Sequence, residues 1–166
     1  MTDERAPRGT PPAWWFLDTL VVELPTANGG LTVLEMTLPV GAAPPAHIHR
    51  GYDDSFYLVE GELVVTVGDS TRHIGPGTWV SVPAGSRHAF RVIGDGPARF
   101  LSVFSTSSFI ELIREIGVVA ETRTLPPTGL APAPEMIMQA FAAHDVEVVG
   151  ASLEEDEARA VVASAV

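Results

Sequence analysis

"PPAHIHRGYDDSFYLVEGEL", residues 44–63, carries two of the chain's five histidines, His47 and His49, one residue apart. In a β-strand successive side chains point to opposite faces, so positions i and i+2 share a face, and two imidazoles there converge on one ion. On a helix they would diverge. Followed onward as strand, Asp54 shares its face with Phe56 and Leu58, and farther along His88 shares one with Phe90 and Val92. A polar group among apolar neighbours on one strand face is the pattern of a metal ligand at the rim of an apolar pocket.

Outward from this stretch, strand-like segments recur at short intervals over 16–24, 31–39, 55–60, 62–68, 71–74, 78–82, 87–93 and 98–105. Glycine, proline or asparagine bounds them; "PTANGG" (25–30) and "GDGP" (94–97) carry the clearest turn chemistry. Eight or so short strands joined by tight turns predict a closed barrel or a two-sheet sandwich. At "STSSFIELIREIGVV" (105–119) the period changes. Serine or threonine before an apolar run with glutamate close behind is an N-cap signature, and Phe109, Ile110, Ile113 and Ile116 fall on one helical face. "TLPPTGLAPAP" (124–134) reads as an extended connector, and "PEMIMQAFAAH" (134–144) as a second helix with Pro134 in its first turn. The tail "EEDEARAVVASAV" (154–166) is a frayed helix or disordered.

Composition narrows the chemistry. A 166-residue chain that is 46% hydrophobic forms one domain with a real core. No apolar run approaches the roughly 20 residues needed to cross a bilayer, so the chain is expected to be soluble and off the membrane. The amino terminus has no signal-peptide pattern, and a cytoplasmic location is the expectation. There is no cysteine, which removes disulfides, thiolate nucleophiles and cysteine-type metal sites. All ten basic residues are arginine, so a lysine Schiff base is also excluded. A net charge of −11 disfavours nucleic acid as a partner. Histidine, carboxylate and hydroxyl groups remain to do chemistry.

Two ordered motifs resemble those of the cupin superfamily. Residues 41–61, "GAAPPAHIHRGYDDSFYLVEG", place Gly41, His47, His49 and Gly61 where the first cupin motif has its glycines and His-x-His pair, with Asp54 at the usual glutamate position. Residues 77–88, "GTWVSVPAGSRH", place Gly77, Pro83, Gly85 and His88 as the second motif does, while the asparagine usual four residues later is Val92. The short spacing between them is similar to that of small single-domain bacterial cupins, and the chain beyond 105 resembles the extension of quercetin 2,3-dioxygenase-like monocupins. The resemblance implies an all-β fold with C-terminal helices, a double-stranded β-helix or jelly-roll barrel, organised as a flexible arm (1–13), a barrel (14–105) and a helical extension and tail packing on it (106–166). It further implies a homodimer with a divalent transition metal held by His47, His49, Asp54 and His88: Fe, Ni, Mn, Co or Cu rather than Zn, which more often closes a tetrahedron.

Aspartate is one methylene shorter than glutamate. Either the strand moves inward, the contact passes through water, or the site is a three-histidine site; Asp53 next door points the other way if it is already in strand. Met36, Phe56, Phe90 and Phe104 are candidates for an apolar pocket lining. Tyr57 is expected to face away from the metal, and His73 and His144 to be surface or structural. By resemblance to quercetinase-like proteins, the implied activity is oxygenation of an aromatic or enolic small molecule, with Asp54 doubling as the base that takes a substrate hydroxyl proton. Non-redox isomerisation, cyclisation or dehydration by a Lewis-acid metal is the alternative, and a ligand-binding barrel without catalysis a third.

Overall fold

The computed structural model describes residues 9–26 and 30–164. Most of the expected flexible arm and the centre of the "PTANGG" turn lie outside the described residues. The described elements are β1 (Ala13–Phe16), β2 (Thr19–Leu24), β3 (Thr32–Leu38), β4 (Pro45–His49), β5 (Asp54–Glu60), β6 (Glu62–Val67), β7 (Ser70–Ile74), β8 (Trp79–Val82), β9 (His88–Ile93) and β10 (Ala98–Phe104). There follow α1 (Ser108–Ile116), β11 (Val118–Val119), α2 (Pro134–Ala143), β12 (Val146–Ser152) and α3 (Glu155–Ser164). They build two antiparallel sheets, ordered β11-β1-β2-β3-β10-β5-β8 and β12-β4-β9-β6-β7, which face each other as a jelly-roll barrel. No helix of the described residues is long and apolar enough to cross a membrane.

Strand period fills the barrel. In β3 and β10 burial alternates strictly, so Leu34, Met36, Leu38, Phe100 and Phe104 point inward while Val33, Glu35 and Arg99 point out. These side chains join Leu58, Leu63, Val80, Val82 and Val92 in one core. On the outer face of the larger sheet, Arg99 bridges Glu35 and Glu60 across three strands. These are partly exposed pairs that contribute little to stability.

The motif glycines shape the turns between strands. Gly61, between β5 and β6, has φ +81°, and a Cβ there would lie 2.7 Å from both the Ala98 Cα and the Pro97 carbonyl oxygen. Gly85 has φ +78° but open space around it. Gly85→Ala should therefore cost only the conformational strain, about 1 kcal/mol, whereas Gly61→Ala adds a collision with backbone and should cost about 2–4 kcal/mol. Urea denaturation of both variants checks the difference; equal losses would mean the Gly61 contact relaxes freely.

The structure corrects three readings. Residues 16–24 are not one strand: the chain reverses at Leu17 and Asp18, pairing Phe16 with Thr19. Leu17 holds φ +56°, a left-handed conformation that asparagine or glycine would normally advertise, so the sequence carries little turn signal there. The N-cap of α1 is also different. Ser107 makes no side-chain cap bond, and its hydroxyl donates to Glu111 Oε1 instead. Finally, the extension is not purely helical. "VEVVG" (146–150), after the second helix, lies in β12, and β11 adds an edge to the other sheet. Asp145 at φ +61° stops α2 and redirects the chain, and β12 pairs Val146 with His49 and Val148 with His47. The acidic tail is helical over α3 and buries Ala158.

Candidate metal centre

β4 delivers His47 and His49, β5 delivers Asp54 at its first position, and β9 delivers His88, which pairs across the ladder with His47. The two histidines of β4 are two positions apart and so share the strand face turned to the cluster. Their ring centroids lie 5.1 Å apart, with His88 4.1 Å from His47 and 5.1 Å from His49. One ligand atom from each of the three lies within 4.8 Å of the other two.

Hydrogen bonding orients each ring. His47 Nδ1 lies 2.8 Å from the Pro45 carbonyl oxygen, and His88 Nδ1 3.1 Å from that of Ser86. Carbonyls only accept, so both rings carry the proton on Nδ1 and leave an Nε2 lone pair free. His49 Nδ1 sits 2.9 Å from the Tyr52 hydroxyl.

Asp54, not Asp53, faces the cluster. Its Oδ2 stands 3.7 Å from His49 Nε2 and 3.8 Å from His88 Nε2. Asp53 turns outward: its Oδ1 accepts from the Ala84 amide and its own amide donates to Ser105 Oγ. The aspartate's short side chain leaves the carboxylate at the margin of the imidazole group, outside hydrogen-bonding distance.

Burial sets the charge state. It pushes His49 down to about 2, with the neighbouring His47 and His88 adding to the effect, and it pushes His88 down to about 4. His47 is lowered for the same reason, against the pull of its bond to Pro45. Burial raises Asp54 to about 7. Three neutral imidazoles thus face a carboxyl group that holds its proton up to neutrality. His88 Nε2 and Asp54 Oδ1 are buried without any hydrogen-bond partner. Orphaned polar atoms of this kind cost about 1–3 kcal/mol each, and a divalent cation would satisfy both. The donor set fits such an ion: nitrogen and oxygen ligands, all deprotonated or readily so, with the second nitrogen of each ring already engaged.

The cluster opens onto a cavity of about 670 Å³. Met36, Phe56, Phe90 and Phe104 all line it, joined by Phe16, Phe100 and Phe109. Segment 125–131 of the connector and Phe141 of α2 close over it from the extension. His47, His88 and Asp54 supply polar groups at its base, and among the described residues no arginine lines it. Tyr57 is exposed on the outer face of its strand, His73 pairs with Glu62 at the surface, and His144 pairs with Glu115. Sequence reasoning missed Tyr52, which is buried against His49, and the extension's part in the cavity wall. Tyr52 lies three residues after a ligand candidate in the same motif, and that spacing was its only signal.

A jelly-roll barrel with an imidazole cluster inside its mouth belongs to a fold class built around small-molecule and metal sites. Residues 34–104 match the family described as Cupin domain. Quercetin 2,3-dioxygenase of Bacillus subtilis (strain 168) is 23% identical over 133 residues, which are 80% of this chain and 39% of that protein. The chain therefore spans about two fifths of that relative's length. Two solved structures share the fold. An RmlC-like cupin from Shewanella frigidimarina superposes with a TM-score of 0.52 at 22% identity, over 62% of this chain and 91% of that one. KdgF from Halomonas sp. does so with a TM-score of 0.51 at 20% identity, over 55% and 84%.

Proposed function

We propose that this protein is a metal-dependent dioxygenase acting on an uncharged aromatic or enolic small molecule. One observation carries the reading: three neutral imidazoles and a buried carboxyl group stand at the base of an apolar, phenylalanine-walled cavity. The similarity to a quercetin 2,3-dioxygenase supports the reaction class. His47, His49 and His88 are the ligands in this reading, with Asp54 as a fourth that can engage or withdraw. A bound Fe, Mn, Co, Ni or Cu ion would supply Lewis acidity and open coordination positions for substrate and dioxygen.

The chain's own groups do the rest. About 670 Å³ accommodates a molecule of two or three rings, and phenylalanine faces orient it by stacking and edge contacts. The apolar wall excludes water from the reacting centre. Burial raises the Asp54 carboxyl in the metal-free protein; a bound cation would lower it and leave a carboxylate at the base of the cavity to take a phenolic or enolic proton. With no arginine among the described residues of the lining, a phosphorylated substrate would find no counter-charge there, and phosphorylated sugars are expected neither to bind nor to compete.

The test is elemental analysis of protein purified without chelator, followed by oxygen-electrode assays with flavonols and other polyphenols. Near-stoichiometric Fe, Ni, Mn, Co or Cu together with substrate-dependent oxygen uptake is the expected result. Turnover that continues without oxygen in a zinc-loaded protein would move the function to Lewis-acid isomerisation or cyclisation. Metal-free protein that cannot be loaded would end the enzyme reading in its present form.

A further inference from the structure

Of the three cluster histidines, only His49 has a partner at Nδ1 that could either give or take a proton. The carbonyls facing His47 and His88 fix those tautomers by themselves, but a phenol does not. The Tyr52 hydroxyl has a second neighbour. It donates to the His144 carbonyl oxygen at 3.3 Å, where α2 ends. The carbonyl can only accept, so a phenol proton directed at it leaves lone pairs to face His49 Nδ1 at 2.9 Å. In that arrangement the phenol is the acceptor and His49 the donor.

The surroundings hold this relay in place. Tyr52 is 2% exposed, and its ring lies 4.7 Å from that of His49. Ser108 Oγ, at the start of α1, also donates to the His144 carbonyl at 3.2 Å. Asp145 O accepts from the Arg50 amide at 2.8 Å, tying the end of α2 to the loop that carries Tyr52. The next residue, Val146, begins the pairing of β12 with His49 itself.

We infer that Tyr52 is a positioning residue: with the His144 carbonyl as its acceptor, it locks His49 in the Nδ1–H tautomer, so that the carboxyl-terminal extension sets the donor atom of a barrel residue. The tautomer lock stands on the hydrogen bonds alone; its consequence for metal affinity rests on the metal-site reading above. Loss of an outer partner of this type lowers metal affinity about 10–100-fold.

Two measurements separate these layers. Long-range proton–nitrogen correlation spectra of metal-free protein report which nitrogen of His49 carries the proton. Titration with Co(II), followed by calorimetry and by the d–d absorption bands, reports affinity and ligand geometry. Wild type should show His49 as Nδ1–H. Tyr52→Phe, which keeps the ring and removes the hydroxyl, should shift it toward Nε2–H, weaken Co(II) binding about 10–100-fold and alter the d–d bands, while Tyr57→Phe on the outer face should do none of this. An Nε2–H tautomer in wild type would overturn the lock even if Tyr52→Phe failed to fold. A folded Tyr52→Phe protein with unchanged tautomer or unchanged Co(II) affinity would overturn it as well. Wild type that binds no Co(II) while showing the Nδ1–H tautomer would overturn the metal reading and leave the lock standing.

Discussion

His88→Ala protein, purified beside wild type without chelator, should contain almost no transition metal and show no oxygen uptake with polyphenols. His88 is the only ligand candidate contributed by the second motif, and it joins the cluster from the neighbouring strand β9, its ring 4.1 Å from that of His47. Removing it leaves two imidazoles on one strand and a carboxylate 3.7 Å away on the other sheet, a set with no ligand from β9. Metal affinity should fall by at least 1,000-fold, or about 4 kcal/mol. The fold should survive the loss. The ring leaves a cavity, but it also takes away a buried nitrogen that lacks any partner in the metal-free protein, so the two costs offset each other in part. Retained stoichiometric metal in this variant would place the binding site elsewhere.

Asp54→Asn should separate stability from activity in one substitution. In the folded, metal-free protein burial holds the Asp54 pKa at about 7, against 3.8 for a solvated aspartate carboxyl. A raised carboxyl pKa favours folding while the group is protonated, so its contribution is intact below pH 4 and is lost as pH rises through 7. The full difference is about 4 kcal/mol. Asparagine cannot ionise. Metal-free Asp54→Asn should therefore be more stable than metal-free wild type at pH 8, with the gain fading as pH falls from 7 toward 4. His49 and His88 act oppositely. Their pKa values are depressed, so the stability they hold at neutral pH falls as pH drops below 6.5. Comparing the two chains above pH 6.5, where both histidines are neutral, isolates Asp54. The same variant should lose 100–10,000-fold in turnover if Asp54 takes the substrate proton. Denaturation curves from pH 4 to 8 and a pH–rate profile read the two effects separately; a stability difference independent of pH would show that Asp54 is not buried as an acid.

The sequence alone determined the barrel and the identity of the three converging histidines. Strand alternation is local chemistry: a period of two, punctuated by glycine and proline, is written directly into residues 31–104. The His-x-His pair shares a face in any strand, and Gly41, Gly61, Gly77 and Gly85 all take the positive φ that their places in the turns require. The tertiary structure decided what depends on distant residues meeting. The turn at Leu17 is imposed by pairing of β1 with β2 against the local preference of leucine. β12 becomes a strand because β4 offers it an edge, 97 residues earlier in the chain at the His49–Val146 pair. Asp54 rather than Asp53 turns toward the imidazoles because β5 begins at that residue, so the inward phase of the strand is set there. Tyr52 reads as an ordinary aromatic until folding brings the His144 carbonyl to its hydroxyl, 92 residues along the chain. Such contacts leave no periodic trace in a sequence, because neither partner's local environment specifies the other.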